Sequence, residues 1–122
     1  MENHAETVRT YYRTIDGGEY DSLRKILAPE FVHDRPDRTL SGPDRFVQFM
    51  REERPMTDTV HAVDALYHDA GRDDTHRGTD DTDEEVAARG RLLREGEHLF
   101  GFVDVFAFER GEIVRLRTYT HC

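Results

Sequence analysis

The last quarter of the chain, HLFGFVDVFAFERGEIVRLRTYTH from His98 to His121, restricts the possible folds more than any other stretch. Two runs rich in Val, Phe, Ile and Thr flank Glu109-Arg110-Gly111-Glu112, where the glycine tolerates positive φ, and this predicts a β-hairpin. Strand side chains alternate between faces, so the first run divides into two rows. His98, Phe100, Phe102, Asp104, Phe106 and Phe108 form one. Leu99, Gly101, Val103, Val105 and Ala107 form the other. Neither is a solvent row, and a strand apolar on both sides needs a cover on both sides. One cover is expected to be the chain's own helices and the other a second copy of the chain. A single carboxylic acid, Asp104, stands in the middle of the Phe row.

A chain of 122 residues is expected to form one domain, residues 1–122, with one core. A net charge of -9 with only 36% hydrophobic residues raises the question of disorder, but the apolar residues are periodic rather than scattered. Of 17 basic residues only Lys25 is a lysine, against 26 acids. Such a surface suits a halophilic protein, because concentrated salt screens the repulsion among acids. The same acidity argues against nucleic acid or an anionic membrane as partner. The single cysteine, Cys122, allows neither an intrachain disulfide nor a cysteine metal cluster. The opening MENHAETV carries no apolar stretch of signal or membrane length, so a cytoplasmic location is expected.

Helix signals come first. Val8, Tyr11, Tyr12 and Ile15 form one apolar stripe in a helix from about Asn3 to Asp16, with Asn3 as N-cap, Glu6 completing a capping box and Gly17-Gly18 as the stop. A second helix is predicted from Tyr20 to Ala28, ended by Pro29. Phe31 to Arg35 reads as a short strand, followed by a polar turn from Pro36 through Ser41-Gly42. A third helix starts at Pro43, buries Phe46, Phe49 and Met50, and ends near Arg54-Pro55. Val60 to His68 alternates as a strand, with His61, Val63, Ala65 and Tyr67 on one side and Val60, Ala62, Asp64 and Leu66 on the other. Asp69 to Asp83 is an Asp-rich loop. Glu84 to Glu95 has helix-favouring composition, but Gly90 weakens a helix, and a strand there pairs naturally with Val60–His68 and with the hairpin. Helices followed by strands give an α+β domain with helices on one face of an antiparallel sheet.

YYRTIDGGEYDSLRKILAPEFVHDRP, LSGPDRFVQFM and VDVFAFERGEIVRLRTY, in this order, resemble the nuclear transport factor 2-like superfamily, in particular its SnoaL-like polyketide cyclase and ketosteroid isomerase branch. The resemblance covers nearly all of the chain apart from the Asp69–Asp83 loop. It implies a cystatin-like roll: a cone-shaped curved antiparallel sheet, three N-terminal helices on its concave face, a deep apolar pocket and a homodimer through the outer sheet face. It is specific for fold and weak for function, since such folds host isomerases, dehydratases, cyclases and non-catalytic binding modules. Carried over position by position, the oxyanion-hole Tyr falls on Tyr11 and the oxyanion-hole Asp on Asp104. The general-base position, immediately before a Pro, holds Arg35, with Asp34 one residue early. A pocket Trp position falls on Thr120. Phe102, Phe106, Leu116, Thr118 and Phe49 complete the pocket that the resemblance implies.

Each residue has a plainer reading. Asp104 among Phe side chains is desolvated, which raises a carboxyl pKa and lets the neutral acid donate to an enolate oxygen. Alternatively it pairs with Arg89, Arg91 or Arg117 on a neighbouring strand. Tyr11 is a second donor or a core tyrosine. His33 or Asp34 is a candidate base, or the segment is a surface turn; His33 and Arg35 share one strand face and Asp34 takes the other. Thr118 and Thr120 are pocket groups or simply β-formers. The seven histidines show no recognised ligand spacing and no phosphate-binding glycine loop occurs, so neither metal nor cofactor is expected. Two functions remain: an acid/base isomerase, cyclase or dehydratase acting beside a carbonyl of a small apolar molecule, or a non-catalytic ligand-binding or dimerisation module.

Overall fold

The computed structural model describes residues 4–54, 58–68 and 84–121. The Asp69–Asp83 loop, the Asn3 cap, Pro55 and Cys122 lie outside the described residues. Helix α1 spans His4–Gly17, α2 Tyr20–Lys25 and α3 Pro43–Gln48, which continues as a π-helical turn, Phe49–Glu53. The strands are β1 Leu27–Asp34, β2 Thr39–Ser41, β3 Thr59–His68, β4 Glu84–Arg94, β5 Glu97–Glu109 and β6 Glu112–His121. They form one six-stranded curved sheet in the order β2-β1-β6-β5-β4-β3.

The hairpin is as expected. Glu109 pairs with Glu112 across a two-residue loop, and Arg110 and Gly111 both have positive φ, 54° and 81°. That is the turn whose twist matches two antiparallel strands. The segment at Glu84 is a strand, paired with both neighbours that the sequence suggested. Gly90 has a packing reason to be there: a Cβ would stand 2.8 Å from the Phe102 ring and would collide with the Ala62 carbonyl.

Four expectations are corrected. The sheet is mixed rather than antiparallel, because β1 runs parallel to β6. Helix α2 stops at Lys25, and the chain enters β1 at Leu27, where the Ile113 N–H donates to the Ile26 carbonyl at 3.0 Å. Pro29 falls inside the register shift between Leu27 and Val32, where a missing N–H costs no ladder bond. The polar turn after Pro36 contains strand β2, anchored by buried Leu40. In β3 a bulge between Val63 and Ala65 reverses the alternation. His61 and Leu66 therefore turn toward the helix side, whereas Val60 and Tyr67 are exposed at 53% and 52%.

Val8, Tyr11, Tyr12 and Ile15 of α1 pack with Phe46, Phe49 and Met50 against Phe102, Phe106, Phe108, Ile113 and Leu116 of the sheet. Burying a large side chain of this kind contributes about 1.5–3 kcal/mol. The helix-side row of β5 is thus core from Phe102 to Phe108. Its opposite row is only half covered by the chain, and Leu99 and Tyr119 stay exposed.

Candidate functional site

Asp104 sits at the centre of β5, 4% exposed, between the buried Phe102 and Phe106. No arginine among the described residues holds it. The Tyr12 hydroxyl donates to Oδ2 at 2.7 Å, and the Thr118 hydroxyl donates to Oδ1 at 2.6 Å from the facing position on β6. Having given its proton to Asp104, Thr118 accepts one from His33 Nε2 at 2.8 Å. A continuous chain Tyr12–Asp104–Thr118–His33 therefore crosses α1, β5, β6 and β1. Burial raises the Asp104 pKa, and the bonds from Thr118 and Tyr12 and the nearby His61 and Arg35 side chains only partly offset it. A proton on Asp104 turns it from acceptor into donor.

His33 is 2% exposed, with Phe46 edge-on at 5.3 Å. Desolvation, helped by the Arg35 charge, lowers its pKa to about 3, so the ring is neutral under ordinary conditions. Its Nδ1 is buried with no hydrogen-bond partner. Arg35 shares the inward face with His33, as the alternation predicts, and its guanidinium lies over the Phe49 ring at 4.6 Å. Asp34 takes the other face, where Arg115 Nη2 approaches to 2.7 Å and holds the carboxyl below its usual range. Asp34 is thereby removed from the candidate bases of the cavity.

A half-enclosed cavity of about 320 Å³ lies between α1, the π-helical turn and the sheet, at the lower end of ligand-site volumes. Asp104, Tyr11, His33, Phe102, Thr118 and Thr120 line it, together with His61, Arg54 and Arg35. Exposed Pro36 and Asp37 mark its open side. Phe106, Leu116 and Phe49 do not line it: all three are buried core residues, Phe106 and Leu116 completely. Tyr11 is buried and faces the cavity. Burial and the Asp104 charge raise its pKa, so its hydroxyl keeps its proton. None of the bonds among the described residues ends on that hydroxyl, because the partner of Asp104 is Tyr12.

Sequence reasoning missed three groups. Tyr11 and Tyr12 are both on the buried stripe, and only the tertiary crossing of α1 over β5 decides which one meets Asp104. His61 carries no role in the sequence pattern of β3. Its ring Nδ1 lies 2.6 Å from Asp16 Oδ1, and its backbone N–H donates to Asp16 Oδ2 at 2.9 Å. Arg54 follows a π-helical turn, a local widening often found at functional sites. Its guanidinium donates to the Met50 and Ile15 carbonyls at 2.8 and 3.3 Å, tying two helix ends together at the cavity. Among the described residues no cluster of three or more His, Cys, Asp or Glu side chains is arranged to hold a metal, and no helix is long and apolar enough to cross a membrane.

A curved six-stranded sheet with helices on one face, closing around a chamber with a buried carboxyl, defines a small α+β roll. The chain belongs to the SnoaL-like domain family, whose model matches residues 8–116. No curated protein sequence matches it. An NTF2-like protein of unknown function from Cytophaga hutchinsonii superposes with a TM-score of 0.75 at 14% identity, covering 99% of this chain and 92% of that one. A protein from Sinorhizobium meliloti provisionally named a polyketide cyclase gives 0.72 at 16% identity, over 93% and 94% of the two chains. One from Kribbella flavida provisionally named a ketosteroid isomerase gives 0.71 at 17% identity, over 94% and 75%. At these identities the likeness is one of fold.

Proposed function

We propose that the chain binds a small, flat, largely apolar molecule bearing a carbonyl or phenolic oxygen, and moves a proton next to that carbonyl as an isomerase, cyclase or lyase. The observation that carries this reading is Asp104: a carboxyl desolvated among phenylalanines, held by two hydroxyls and, among the described residues, by no cation, on the wall of a cavity. A buried acid without a counter-charge costs stability, and strongly perturbed acids of this kind cluster at functional sites. Protonated Asp104 and the Tyr11 hydroxyl are the two donors to an oxyanion. Thr118 and Thr120 border the ligand, and Phe102 supplies an apolar wall. The names of two structural neighbours, a polyketide cyclase and a ketosteroid isomerase, point to the same substrate class.

The test is titration with 2-naphthol, an enolate mimic, followed by fluorescence. Micromolar to low-millimolar binding is expected. Asp104→Asn keeps a donor and should bind within a few-fold of wild type, whereas Asp104→Leu should bind at least about tenfold more weakly, the loss of one strong hydrogen bond. Equal binding by all three proteins sinks the reading and leaves Asp104 a structural residue.

We also propose that two copies associate through the outer sheet face. Val60, Tyr67, Leu99 and Tyr119 are exposed there. Sedimentation should give a dimer for the wild type and a monomer for Tyr119→Asp; a monomeric wild type rejects it.

A further inference from the structure

An oxyanion pocket without a proton acceptor only binds. Of the two acceptors expected from the sequence, Asp34 faces away from the cavity, and His33 has committed Nε2 to Thr118 and loses basicity through burial. His61 lines the same cavity as Asp104 and Tyr11. Its ring centroid lies 5.2 Å from that of Tyr12, whose hydroxyl donates to Asp104, and 5.4 Å from that of Phe102, two residues before Asp104 on β5.

The partner of His61 decides its tautomer. Asp16, in the last turn of α1, grips the residue twice, taking the backbone N–H on one oxygen and ring Nδ1 on the other. A carboxylate only accepts, so Nδ1 carries the hydrogen and the free lone pair is on Nε2. No hydrogen bond among the described residues ends on Nε2. Both side chains are less than one-fifth exposed, which shields the pair from solvent. A carboxylate at the C-terminal end of a helix faces the negative end of the helix dipole. Its placement there is unfavourable for α1 by itself and is offset by the His61 N–H and by the imidazolium that forms when Nε2 takes a proton.

We propose that His61 is the general base of this cavity and that Asp16 is its positioning residue, an assignment that rests on the carbonyl-ligand reading above. The C–H bond next to the carbonyl breaks, the proton goes to Nε2, and the electron pair moves to the oxygen held by Tyr11 and Asp104. Return of the same proton to a different carbon completes an isomerisation, with no other reactant. Asp16 fixes the ring so that Nε2 faces the ligand, and stabilises the imidazolium.

The probe is 5-nitrobenzisoxazole, a flat aromatic. Removal of its C3 proton breaks the ring N–O bond and releases a coloured cyanophenolate, so turnover reports a base in an apolar cavity and needs no knowledge of the natural substrate. The wild type should exceed the same concentration of free imidazole at equal pH. His61→Gln should fall to the buffer rate while 2-naphthol affinity stays within about threefold. Added imidazole should restore turnover in His61→Gly. Asp16→Asn should lower kcat about tenfold or more with KM little changed, and Asp16→Glu should recover part of it. Undiminished turnover in His61→Gln, or a wild type that binds 2-naphthol but leaves the probe untouched, overturns the base assignment alone. Failure of the wild type to bind 2-naphthol overturns both this inference and the function it rests on.

Discussion

Arg117 and Thr118 are neighbours on β6 and serve opposite sides of the sheet. On the outside, Arg115 and Arg117 approach the Asp34 carboxyl to 2.7 and 3.9 Å, and all three side chains are 30–45% exposed. On the inside, Thr118 meets the same kind of side chain, Asp104, with a hydroxyl. The same residue type is thus satisfied by charge in one place and by dipoles in the other. The difference is the solvent. An exposed ion pair is cheap to form and weakly stabilising. A buried guanidinium would need its own desolvation offset, and would hold Asp104 ionised. Hydroxyls leave the proton of Asp104 free to come and go. The two sides also respond oppositely to acid. Asp34, with its pKa lowered by Arg115, contributes stability that is present above the ordinary carboxylate range and is lost as pH falls. Asp104, with its pKa raised by burial, contributes stability present below that range and lost as pH rises through its folded value.

The largest expected effect comes from the inner chain. His33 titrates near 6.5 when unfolded and at about 3 when folded, so its contribution is intact above pH 6.5 and is lost progressively toward pH 3. The full window corresponds to about 5 kcal/mol. Urea unfolding at pH 7.5 and 4.5 should show a fall for the wild type that His33→Gln, an uncharged side chain able to keep the bond to Thr118, largely abolishes. An equal fall in both proteins would mean that the outer carboxylates carry the acid sensitivity. Next in size is Thr118→Val. It keeps the shape and strips the hydroxyl that joins His33 to Asp104, leaving two buried groups each short of a partner. About 1–3 kcal/mol should be lost. Arg117→Ala, one residue away, should scarcely change the urea midpoint. If the two substitutions cost the same, the contrast between the faces is not energetic.

How legible this was depended on the range of the interaction. The hairpin, the strand at Glu84 and the face shared by His33 and Arg35 follow from alternation and turn chemistry, which are local; that this face points inward does not. The family resemblance was equally visible, because the order of helix stops and the VDVFAF segment lie in linear sequence. What stayed hidden required two distant segments to meet. Leu40 is one apolar residue among polar ones, too little to signal β2 until β1 lies beside it. The β3 bulge, which moves Tyr67 outward and leaves His61 inward, has no glycine or proline to announce it. Asp16 reads as a helix-end residue, and only its meeting with His61, 45 positions on, gives it chemistry. Parallel pairing of β1 with β6 spans almost the whole chain for the same reason.

The smallest effect separates the faces most cleanly, because salt reaches one and not the other. Removing Arg115 by Arg115→Ala should cost a few tenths to about 1 kcal/mol at low ionic strength, as exposed pairs do. That deficit should shrink in 2 M NaCl, whereas the Thr118→Val deficit, inside the core, should not. The protein as a whole should move the other way. With a net charge of -9, repulsion acts between many acids separated by more than contact distance. The screening length falls from about 10 Å at 0.1 M to about 3 Å at 1 M, which removes this repulsion but spares part of each contact pair. Thermal melting in 0.1 and 2 M NaCl should therefore show a rising wild-type midpoint together with a narrowing gap to Arg115→Ala. A falling midpoint would mean that the arginine–carboxylate pairs outweigh the repulsion, and that the acidic surface is no adaptation to salt.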